Sequence, residues 1–181
     1  MGERDKRLNA ARRTSRGALN VFTLWLGPDE NPAGVIYGTI TVGAVLAAEG
    51  DRSEHVSTAV FVAFMVLLLY WVVHAWSDDT GRRIEERSEL SWDRFAGYLQ
   101  RDWAIVRGAM LPILAVIIAA VFGDSGEQAI YVGTIVSAVS LAVIELVTGI
   151  RNELGMRQVL VQTLVGAGFG AVLIGLRYLL I

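Results

Sequence analysis

The sequence has no cysteine, only three prolines and only two histidines among its 181 residues. Without cysteine there is no disulfide framework, no thiolate zinc or iron–sulfur site and no thiol nucleophile. Two histidines, His55 and His74, are too few for a metal cage built from imidazole alone. The phosphate-cradling GxxxxGK[ST] loop, the HExxH zinc helix and a Ser-His-Asp arrangement are all absent. An enzyme is therefore the least expected class, and no cofactor is called for beyond a divalent cation. Net charge is only −2, so nothing in the balance points to nucleic acid as a partner.

What is abundant is apolar surface. Hydrophobic residues make up 54% of the chain and charged residues 19%, with 19 glycines. A hydrocarbon core of about 30 Å needs about 20 residues per helical span, so this composition supplies about five spans and little else. The expected fold is an all-α polytopic membrane protein. Charged boundaries place the spans at about 33–48, 56–76, 104–122, 129–150 and 159–180, forming a membrane domain over 32–181. A helical insertion, 77–103, separates the second and third spans. The third span is short unless it borrows the turn before Gly108, with Arg107 reaching to the headgroups.

Lys and Arg alternate in density from one connecting segment to the next. Fourteen lie in the tail before span one, the insertion and the loop after span four, and two, Arg52 and Arg177, in the other segments. The positive-inside rule then puts the N-terminus in the cytoplasm and the C-terminus outside a bacterial plasma membrane. Residues 1–31 read as a basic cytoplasmic tail rather than a cleaved signal. Within it, Arg12, Arg13 and Arg16 followed by Val21, Phe22, Leu24, Trp25 and Leu26 predict an amphipathic segment on the anionic inner leaflet. Arg177, near the outer end, is expected to contact headgroups.

The insertion, SDDTGRRIEERSELSWDRFAGYLQRD, is dense in both charges. Asp78 and Asp79 are expected to start a new helix at the membrane edge, with Ile84, Leu90, Trp92, Phe95, Tyr98 and Leu99 on its apolar face. Glu85, Glu86, Glu89 and Asp93 have spacings that align on one helix side, where a hard cation would fit. Arg82, Arg83, Arg87 and Arg94 are interleaved with them, and intrahelical ion pairs explain the same pattern.

Ionisable residues within spans are expensive and so carry information. Tyr70, His74 and Asp78 recur every four residues and share one helix face. Such a stripe suits a proton relay or a divalent cation, while Tyr70, Trp71, His74 and Trp76 equally suit an interfacial aromatic belt. Glu145 lies deeper, with Thr148 one turn later. It reads either as a functional carboxylate or as one half of an ion pair with Arg107. Small residues mark helix contacts: Gly34 and Gly38 on span one, Gly166, Gly170 and Gly175 on span five. These two spans are expected to be central to the bundle or to a homodimer.

Five segments carry a resemblance: GVIYGTITVGAVLAAE at 34–49, LLLYWVVHAW at 67–76, RDWAIVRGAMLP at 101–112, VIELVTGIRNEL at 143–154 and RQVLVQTLVGAGFGAVLIGLRYLL at 157–180. Together they resemble a group of small actinobacterial integral membrane proteins, which implies a family but no particular chemistry. The plan more distantly resembles the vacuolar iron transporter family, in its five spans, its acidic helical insertion, its Gly-Ala-Met-Leu-Pro approach to span three and its Thr-Gly-Ile-Arg step before a Gly-rich last helix. That resemblance implies a dimer exchanging divalent iron or manganese for protons. The chain departs from that family in lacking an aspartate in span one and in its short, Arg-rich insertion, and Met65 is the one soft ligand on span two. Two readings follow: a small cation- or proton-coupled transporter on a similar plan, or a non-transporting membrane scaffold that binds partners.

Overall fold

The computed structural model describes residues 31–49, 55–123 and 125–180. The described residues form six helices and no strand: α1 (Pro32–Glu49), α2 (Val56–Glu86), α3 (Trp92–Arg101), α4 (Trp103–Val121), α5 (Gly126–Arg151) and α6 (Met156–Leu180). Five segments, with α3 and α4 counted together, are long and apolar enough to cross a bilayer. The chain is an all-α, multi-pass membrane protein, and the expected spans match α1, α2, α4, α5 and α6. The basic tail and its amphipathic segment lie outside the described residues, except for Asn31.

Local chemistry sets the helix ends. Asn31 accepts the Gly34 N–H at 3.0 Å while Pro32 occupies the first helical position, where its missing N–H is harmless. At the start of α5, Ser125 and Gln128 form a reciprocal capping box. The C-terminus of α5 closes through Glu153 in the left-handed region (φ 51°), with Leu154 N–H reaching back to the Gly149 carbonyl at 3.2 Å.

The insertion differs from expectation. Asp78 and Asp79 do not begin a new helix, because α2 runs through them as one element of 31 residues, about 46 Å long and thus longer than the hydrocarbon core. It stops only at Arg87, whose left-handed φ of 51° turns the chain while Ser88 N–H bonds the Arg83 carbonyl at 3.1 Å. Glu89 consequently lies in a turn rather than on a helix. The single stripe expected of Glu85, Glu86, Glu89 and Asp93 does not form, since two helices and a turn divide it.

The bundle packs through missing side chains. A Cβ on Gly38 of α1 would fall 1.8 Å from the Ile105 carbonyl oxygen of α4, and one on Gly108 of α4 would fall 2.1 Å from the Val35 carbonyl oxygen of α1. Each glycine thus seats the other helix's backbone, the close approach by which helices associate where lipid supplies no hydrophobic drive. Pro112, inside α4, has no N–H to give the Gly108 carbonyl four residues earlier. The buried Thr39 hydroxyl lies 2.8 Å from Val35 O and 3.0 Å from that carbonyl, so its one proton is shared between its own helix and the acceptor Pro112 leaves open.

On the other side, Gly166 and Gly170 of α6 abut the Leu141 and Ala138 carbonyls of α5, where an added Cβ would stand 2.7 Å from each oxygen. A Cβ on Gly34 would instead meet a side chain, standing 2.8 Å from the Ala104 methyl group. Gly175 is different, because nothing lies within 4 Å of the position its Cβ would take, and Gly168 is equally open. Of the two spans expected to be central, α1 is, enclosed by α2, α4, α5 and α6. The last helix is peripheral, packing mainly on α5 and presenting Leu160, Leu164, Val172 and Tyr178 outward.

Candidate ion-handling site at the arginine-rich end

The end of the bundle where α2 leaves the span and α3 turns into α4 gathers most of the described charges. Three arginines hold it together. Asp79, fully buried, is gripped by Arg83 from its own helix and by Arg94 from α3, each at 2.9 Å. Arg94 also bonds the Ser88 hydroxyl at 3.0 Å and the Glu89 carbonyl at 2.7 Å, so one guanidinium ties the whole α2–α3 turn to a buried carboxylate. Trp71 donates its indole N–H to the Leu99 carbonyl at 3.0 Å and meets Trp103 edge to face. These contacts fix α3 against α2.

With α3 fixed, Asp102, the hinge residue between α3 and α4, faces the polar stripe of α2. Ligand atoms of His74, Asp78 and Asp102 all lie within 4.8 Å of one another. Asp102 is 1% exposed and Asp78 is half-exposed. Arg101 bridges the two carboxylates, its Nε 2.9 Å and its Nη2 3.3 Å from Asp102 and the same Nη2 bonded to Asp78. The Asp102 hydrogen bond raises the Arg101 pKa, as does Asp78, against a lowering by burial. Arg101 also lies 4.9 Å over the Tyr98 ring.

An aromatic wall completes the site. The His74 imidazole stacks on Tyr70 at 5.8 Å and meets Tyr37 of α1 edge to face at 5.7 Å. The expected face of Tyr70, His74 and Asp78 therefore exists, and tertiary packing adds Tyr37, Arg101 and Asp102 to it. Asp102 escaped sequence reasoning because it reads as the last charge of a charged run. Its one signal was position, at the junction of the charged insertion with the apolar run that follows. A cation held here would need its ligands within about 2.0–2.6 Å, so the three groups would have to draw inward and Arg101 would have to yield.

The remaining candidates stand elsewhere. Glu145 is half-buried on α5 with its Cγ against Gly166, where an added Cβ would be 2.9 Å away. It makes no ion pair with Arg107, contrary to that expectation, and the Arg107 Nε is buried without a hydrogen-bond partner. Glu85 and Glu86 are exposed, and Glu86 touches Arg94 at 3.8 Å. Arg177 is not a headgroup contact but is 4% exposed, 3.3 Å from Glu127 and over the Tyr131 ring. No protein-family model, curated protein or solved structure matches this chain.

Proposed function

We propose that this membrane protein is a non-enzymatic, small cation- or proton-coupled transporter of the bacterial plasma membrane, with its N-terminus in the cytoplasm, its C-terminus outside and the arginine-rich end facing the cytoplasm. The observation that carries the reading is the convergence of His74, Asp78 and Asp102 at the mouth of the bundle. Imidazole and carboxylate together accept protons near neutral pH and ligate divalent cations. Placed where α1, α2 and α4 leave the membrane, they suit loading or release of such an ion. The plan's likeness to the vacuolar iron transporters supports the same class.

The test is flux into proteoliposomes, followed with a pH-sensitive dye and with Mn²⁺ or Fe²⁺ on one side. His74→Ala and Asp102→Asn should each reduce flux at least about ten-fold, the range over which acid–base groups act. No flux of protons, Mn²⁺ or Fe²⁺ by the wild-type protein would remove the reading. Glu145, deeper and without an ion pair, is the next proton acceptor along the bundle in this scheme. Glu145→Gln should insert and purify normally yet carry no coupled flux, whereas failure to assemble would make it structural.

The second reading, a scaffold, is favoured by one observation. Ile84, Leu90 and Trp92 are exposed on the α2–α3 hairpin, Ile84 by 74% and Trp92 by 70%, an apolar surface beyond the expected span. A homodimer, if formed, would use the open Gly168 and Gly175 side of α6 and not α1, which is enclosed.

A further inference from the structure

Charge bookkeeping at the proposed site sets what it can take. Around His74 stand Tyr37 from α1, Tyr70 and Asp78 from α2, Arg101 from α3 and Asp102 at the start of α4. The two carboxylates carry two negative charges and Arg101 returns one positive, leaving a single negative charge beside the imidazole. One added positive charge balances the site, and two overfill it.

Geometry says the same. Arg101 uses Nε and Nη2 on Asp102 and shares Nη2 with Asp78, so it occupies the carboxylate edges that a metal would need. Asp102 is buried and so depends on a cation at all times, since an unpaired carboxylate there carries a large desolvation penalty.

We infer that Arg101 is the resident counter-cation of this site and its selectivity-determining residue: with Arg101 bridging Asp78 and Asp102 the site refuses a divalent cation. This rests on the transporter reading for its meaning but not for its test, which needs no flux. A guanidinium is always charged and cannot give up its proton, so it acts as a permanent occupant of one cation position. Removing its charge opens the carboxylate pair to a divalent ion.

The full chain in detergent would be titrated with Mn²⁺ and free Mn²⁺ followed by electron paramagnetic resonance. Arg101→Gln should bind one Mn²⁺ at least about ten-fold more tightly than wild type, as loss of a neighbouring like charge favours the bound cation. Arg101→Lys, which keeps the charge, should stay as weak as wild type. Adding Asp102→Asn to Arg101→Gln should abolish the gain, which also separates site binding from loose binding by a damaged protein. Equal Mn²⁺ affinity in wild type and Arg101→Gln would overturn the inference. If Arg101→Gln fails to fold, Arg101→Met takes its place: tighter Mn²⁺ binding than wild type upholds the inference, and wild-type affinity overturns it. Should the binding pattern hold while proteoliposomes show no flux, the site stands and only the transporter reading falls.

Discussion

Where α1 crosses α4 at Gly38 and Gly108, backbone lies on backbone. Where α2, α3 and α4 meet at the arginine-rich end, three aspartates and three arginines fill the contact, with indole and phenol rings around them. Both regions obey one constraint, that a polar group shielded from water needs a partner. The first meets it with shape: glycines admit the neighbouring helix, and one threonine hydroxyl covers the carbonyl that Pro112 leaves open. The second meets it with charge, because each carboxylate has a guanidinium within reach. A shape contact tolerates no added atom, whereas a charge contact tolerates rearrangement. That difference is why we propose the second as the place where an ion or proton acts.

The sharpest attack on the shape region is Gly38→Ala. Its Cβ would stand 1.8 Å from a carbonyl oxygen of α4 backbone, so α1 must move away. Overpacking of this kind typically costs about 1–3 kcal/mol and can exceed it, and here the obstacle is backbone, so at least about 3 kcal/mol is expected. Thermal unfolding in detergent measures it; an unchanged midpoint would mean the two helices are not in backbone contact. The equivalent attack on the charge region is Asp79→Asn, which leaves Arg83 and Arg94 facing a neutral buried group. Breaking a buried pair costs about 3–5 kcal/mol, and the partial exposure of both arginines places this case at or below the lower figure. Proteolysis between α2 and α3 should speed up at the same time, since Arg94 no longer ties the turn.

A smaller effect tests the Thr39 assignment. Thr39→Val should cost about 1 kcal/mol, the net worth of one hydrogen bond, and Pro112→Ala in the same background should recover part of it by restoring the N–H for the Gly108 carbonyl. No recovery would mean Thr39 matters only through its packing. The smallest effect belongs to the open face of α6. Gly168→Ala meets nothing within 4 Å and should shift monomer stability by no more than about 0.5 kcal/mol, in contrast with Gly170→Ala on the packed face. A large change at Gly168 would reveal a second chain docked on that side.

Much of this molecule was legible before folding. Length, the apolar fraction and the spacing of charged boundaries implied five spans, and the helices found agree with the expected limits to within a few residues except at the end of α2, which runs ten residues further, to Glu86. The stripe of Tyr70, His74 and Asp78 follows from the helical repeat, which does not depend on neighbours. Errors fell where a neighbour decides. The aspartates at 78 and 79 resemble a helix start, but ion pairs from Arg83, Arg94 and Arg101 make them interior residues of a longer helix. Glu145 and Arg107 are expected at similar depth by topology, yet depth fixes only one coordinate, and Glu145 packs against Gly166 of α6 without pairing with Arg107.

The sequence by itself therefore determined the solvent of this protein, the number of its spans and the residues of α2 that share a face, because hydrophobicity and helical periodicity act along the chain. Only the tertiary structure decided which faces meet. It seated α1 at the centre and left α6 at the edge, set Thr39 beneath Pro112, and carried Asp102 from the end of a charged run to the side of His74. Those outcomes depend on glycines that let backbones approach and on arginines that choose among several carboxylates, and such choices are made across space rather than along the chain.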